Sequence, residues 1–74
     1  MIRVDGKVFA SLELAMPFFN SALKIEISNC KEEFWINAPA ATALWVLNNA
    51  ALTSLDAPAA TYLRVENNAA LTRK

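Results

Sequence analysis

Histidine is absent from this chain, glycine and cysteine occur once each, and seven basic residues cancel seven acidic ones. Each shortage removes a class of function. Without histidine, the commonest transition-metal ligand and neutral-pH general base is missing. Gly6 is the sole glycine, so no glycine-rich loop is available to cradle a phosphate. Cys30 stands alone, which excludes an intramolecular disulfide and leaves no second thiol to resolve an oxidised form. A net charge of zero provides no long-range field to steer the chain to nucleic acid or anionic lipid. Long apolar runs are missing too. The stretch from Val8 to Leu23 is broken by Glu13, Pro17 and Asn20, short of the ~20 residues of a membrane span and without the flanks of a secretory leader. The expectation is a soluble, cytoplasmic protein that needs neither metal nor cofactor and has no membrane partner. At 74 residues there is room for one domain, near the size at which a lone core becomes marginal.

What the chain does have is self-similarity. Ala38-Pro39-Ala40-Ala41-Thr42 returns as Ala57-Pro58-Ala59-Ala60-Thr61, and Asn48 to Thr53 returns as Asn67 to Thr72, both after 19 positions. A fixed period of that length marks stacked units that cannot bury their apolar faces alone. Extending the pattern backward through Pro17, Pro39 and Pro58 gives spacings of 22 and 19. Leu23, Leu44 and Leu63, followed two positions on by Ile25, Val46 and Val65, alternate at period two and are expected to be strands. A second strand per unit is expected around Leu14, Ile36 and Leu55. Between the strands lie an alanine–proline bend and an Asn-Asn bend. Val4-Asp5-Gly6-Lys7-Val8 carries a strong tight-hairpin signal. The fold expected is therefore all-β, a short right-handed parallel β-solenoid of about three coils of 19 to 22 residues over 12–74, with a hairpin cap over 1–11.

The run from Asn48 through Asn68 resembles leucine-rich repeats of receptor-L-domain type, and short repeat proteins of bacteria and phages. That resemblance implies parallel strands of a right-handed solenoid joined by asparagine bends, and a partner-binding role without fixed activity. With the small size of the chain, it suggests a phage- or mobile-element-encoded inhibitor of a host system, of the anti-CRISPR kind, acting in a bacterial host cell.

Candidate residues follow from strand alternation. If Leu44 and Val46 point inward, Trp45 and Leu47 point out. The alignment above then stacks Lys24, Trp45 and Arg64 in one column and Glu26, Leu47 and Glu66 in the next. A tryptophan between cations within a charged rim has the composition of a docking hot spot. The alternative is that Trp45 folds over the sheet against the stems of Lys24 and Arg64 and does nothing further. Trp35 aligns with Glu13, Ser54 and Arg73, but burial against Phe18, Phe19 and Phe34 is the favoured expectation. Asn29, Asn49 and Asn68, with a second row at Ser28, Asn48 and Asn67, are expected to bond the backbone of the bends. Cys30, aligned with Ala50 and Ala69, reads as a small inward filler.

Among functions, catalysis has the least support, because no histidine, phosphate loop or converging carboxylates are present. Lys24, Trp45 and Arg64 could stack a base, yet Glu26 and Glu66 beside them argue against nucleic acid. The expected function is a non-enzymatic module that engages a protein partner by occluding surface. Self-assembly as a structural repeat is the remaining alternative. A homodimer through the C-terminal coil is also expected, because only the N-terminal end carries a recognisable cap.

Overall fold

Asp5 and Gly6 take positive φ angles of 50° and 82°, and the two-residue turn they make joins β1 (Ile2–Val4) to β2 (Lys7–Phe9) in an antiparallel hairpin. The computed structural model of the protein describes residues 1–68 and Leu71. After the hairpin the chain turns helical. The Ser11 hydroxyl accepts a hydrogen bond from the Leu14 amide at 3.4 Å and caps α1 (Leu12–Ala15), which runs into a 3-10 turn over Met16–Phe18 with Pro17 at its start. Proline is favoured there because the first helical amide has no partner to lose.

From residue 24 onward strands dominate: β3 (Lys24–Ser28), β4 (Phe34–Asn37), β5 (Ala43–Leu47), β6 (Leu52–Asp56) and β7 (Tyr62–Glu66). Together with β1 and β2 they build a five-stranded mixed sheet in the order β2-β1-β3-β5-β7 and a two-stranded parallel sheet of β4 and β6. The parallel pairs of the larger sheet keep a 19-residue offset: Ile25 lies beside Leu44 and Leu44 beside Leu63. The inward residues Ile25, Ile27, Leu44 and Val46 of one sheet join Phe34, Ile36 and Leu52 of the other in one buried cluster. Leu12, Ala15, Phe19 and Ala22 close it from the helical side.

The expected all-β parallel β-solenoid of about three coils is overturned. The described residues form a small mixed α/β fold, with seven strands in two open sheets, one mixed and one parallel, and one short helix. The cause lies in the first 23 residues. Leu14, expected on a strand equivalent to Ile36, sits on α1 and is exposed. Pro17 starts a 3-10 turn instead of ending a strand, and β1 meets β3 antiparallel, with Ile2 opposite Ile27.

The asparagine bends are real, but their rows are shifted by one residue. Asn29, Asn48 and Asn67 are equivalent, with left-handed φ of 60°, 57° and 56°. Asparagine tolerates that region better than other side chains bearing a Cβ. The following row is Cys30, Asn49 and Asn68, not Cys30 with Ala50 and Ala69. Asn49 Oδ1 accepts from the Cys30 amide at 3.0 Å, and Asn68 Oδ1 accepts from the Asn49 amide at 3.1 Å. Asn49 Nδ2 donates to the Ile27 carbonyl and Asn68 Nδ2 to the Val46 carbonyl. Cys30 occupies the first rung of this ladder. No parallel strand precedes β3, so an amide there would find no equivalent carbonyl to serve. Ala69, Ala70, Thr72 and Arg73, on which parts of the expected alignment fall, lie outside the described residues.

Candidate functional site on the outer sheet face

The outward positions of the five-stranded sheet form rows set by the register. One row runs Val8, Arg3, Glu26, Trp45, Arg64, and the next runs Ser28, Leu47, Glu66. The expected columns Lys24–Trp45–Arg64 and Glu26–Leu47–Glu66 are therefore corrected by two residues on β3. Lys24 belongs with Ala43 and Tyr62. The error arises because Leu23, Ile25 and Ile27 all alternate, so apolar periodicity alone accepts a slip of two residues without changing face. Leu23 proves to be exposed; it lies at the bend, where its carbonyl takes the Thr42 and Ala43 amides. Its own amide and that of Lys24 are held by Asp5 Oδ1, both at 3.0 Å.

Trp45 and Leu47 do face away from the core, since Leu44 and Val46 are fully enclosed while their two neighbours are half-buried. Despite the corrected register, Lys24 reaches Trp45 diagonally, with Nζ 4.4 Å from the ring centroid. The second aromatic contact comes from Tyr62, edge-on at 5.4 Å with an interplanar angle of 78°. Arg64 turns instead to Glu66, with Nε 2.7 Å from Oε2. That carboxylate, by hydrogen bond first and by its charge second, raises the guanidinium above its already high ordinary value. On the other side Glu26 Oε2 meets Arg3 Nη1 at 3.4 Å. An open groove of about 300 Å³ lies between these ion pairs, lined by Met1, Glu26, Trp45, Leu47 and Arg64. The Met1 ammonium donates to the Ser28 carbonyl at 2.6 Å and fixes the groove's end.

Arg3, Tyr62 and Met1 are the contributors that sequence reasoning did not find. The 19-residue spacing carried forward from Ala43 would have located Tyr62. Nothing local marks Arg3, which depends on hairpin pairing. Trp35, expected to be buried, is 57% exposed on β4, because its neighbour Phe34 takes the inward position at 1%. Strand alternation permits only one of the two.

Burial pushes the Cys30 thiol up, away from the nucleophilic thiolate. Among the described residues no three histidine, cysteine or carboxylate side chains converge as a metal site. No helix among them is long and apolar enough to cross a membrane. Comparison of the chain with protein-family models, with curated proteins and with solved structures gives no match.

Proposed function

We propose that this chain is a non-enzymatic binding module, whose outer sheet face docks a protein partner and acts by occupying that partner's surface. The observation that carries the reading is Trp45. Its ring is held by the Lys24 cation and the Tyr62 edge at the wall of an apolar groove. An aromatic fixed before binding loses little side-chain entropy when a partner arrives. The rim is chemically complementary to that role. Arg3–Glu26 and Arg64–Glu66 flank the groove with neutralised pairs, and a polar rim around an apolar centre is how stable interfaces are built. The fitting ligand is a protein segment that inserts one apolar side chain beside Trp45 and Leu47 and presents charges of both signs to the rim. Nucleic acid fits less well, because Glu66 already occupies Arg64. The resemblance to short repeat proteins of bacteria and phages supplies no part of this reading.

Trp45→Ala and Trp35→Ala separate the two exposed-face tryptophans. Proteins cross-linked to the wild type in its native cell are identified, and the recovered partner is titrated against both variants. Trp45→Ala is expected to keep the circular dichroism spectrum and weaken binding by about a hundredfold or more, the scale of a hot-spot aromatic. Trp35→Ala is expected to bind as the wild type does. Equal binding by Trp45→Ala, or its unfolding, overturns the reading.

A further inference from the structure

The edge strand β7 carries a pattern that is complementary to itself. Main-chain direction along it follows from the neighbouring ladder. Asn29 N–H donates to the Leu47 carbonyl, and Asn48 N–H to the Glu66 carbonyl. Glu66, and with it Arg64 and Tyr62, therefore directs its main-chain groups back to β5. The amides and carbonyls of Leu63 and Val65, and the Asn67 amide, face the open side, because main-chain direction alternates along a strand. Among the described residues β7 has a strand neighbour on one side only. Leu63 is 45% exposed, although its equivalents Ile25 and Leu44 in the same inward row are fully enclosed. The inward row thus reaches this edge with apolar surface still open.

We propose that the β7 edge pairs antiparallel with β7 of a second copy of this chain, around a two-fold axis at Val65. The charge pattern selects the register. With Val65 opposite Val65, Arg64 of each copy lies opposite Glu66 of the other, in the closer type of antiparallel pair, where side chains touch. Sliding by one step in either direction puts Arg64 against Arg64 or Glu66 against Glu66. Only the central register matches opposite charges. It also matches the free main-chain groups: the two Val65 residues exchange bonds, and each Asn67 amide meets a Leu63 carbonyl, about four bonds in all. The interface is isologous, the commonest way in which two identical chains associate. Both outer faces then lie on the same side of a continuous ten-stranded sheet. This inference goes beyond the docking of a partner on the Trp45 face; Arg64 and Glu66 belong to both surfaces, and the two are told apart through Trp45, which lies one strand in from the edge and outside the β7 pairing.

Charge exchange tests it, with mass read by sedimentation velocity and folding by circular dichroism. The wild type is expected to sediment as a dimer at high concentration. Arg64→Glu places carboxylates opposite carboxylates and is expected to weaken the dimer by about tenfold or more. Adding Glu66→Arg to Arg64→Glu restores the opposite-charge match and should restore the dimer. Trp45→Ala should leave the mass unchanged. A strictly monomeric wild type at millimolar concentration overturns the proposal. So does a double variant that stays as weak as Arg64→Glu while folded, because the register would then be wrong.

Discussion

Asn49 is the one buried polar residue among the described positions, at 0% exposure. It sits in the core without destabilising it, because every polar atom has work: Oδ1 takes the Cys30 amide and Nδ2 serves the Ile27 carbonyl and Asn68 Oδ1. Removing the side chain strands the enclosed Ile27 carbonyl and the half-buried Cys30 amide, and a buried polar group costs about 1 to 3 kcal/mol when left unpaired. Asn49→Ala is therefore expected to lose about 2 to 4 kcal/mol in urea unfolding. Asn49→Leu, which keeps volume and loses only the bonds, should lose a comparable amount. A neutral Asn49→Leu would show that space filling, not the ladder, is what the position requires. The repeated Asn-Asn pairs are visible in the sequence, but their division of labour is not. Both members are the same residue type, and only backbone geometry assigns one to the left-handed bend and the other to the interior.

At the scale of elements, the bend between β5 and β6 depends on a left-handed residue at Asn48, with φ of 57°. Glycine enters that region freely, and a β-branched residue enters it at a cost of roughly 1 to 2 kcal/mol. Asn48→Gly is expected to melt close to the wild type, and Asn48→Val to lose about that amount in a thermal scan. If the two variants melt together, the bend is not held by backbone preference. The same scale explains why the hairpin was readable and the helix was not. Asp5-Gly6 is a local signal, satisfied by its own two residues. The segment from Ser11 to Phe18 carries equally local signals, a serine cap and a proline at a helical start, yet Leu14 and Pro17 also fit the spacing of Ile36 and Pro39 approximately. A spacing of 22 against 19 was the sign that the first unit is not a copy of the others.

At the scale of the whole molecule, stability rests on two stacked sheets whose shared interior is narrow. For 74 residues the expected total is about 4 to 11 kcal/mol. Leu44 lies at the centre of that interior, fully enclosed between Ile25 and Leu63 on the neighbouring strands. Leu44→Ala is expected to remove about 2 to 5 kcal/mol, enough to leave much of the chain unfolded in mild denaturant by circular dichroism. A loss below about 1 kcal/mol would mean that the two sheets close the void without help. Composition and spacing alone determined that β7 repeats β5 after 19 residues, and that Leu44 and Val46 face inward while Trp45 faces out. These are consequences of residue type and of period two. Tertiary pairing decided the rest: the antiparallel β1 beside β3, the helix in place of a first coil, Arg3 against Glu26, Tyr62 against Trp45, and the exposure of Trp35. Each depends on which strands become neighbours and in what register, and a pattern of period two is blind to a slip of two.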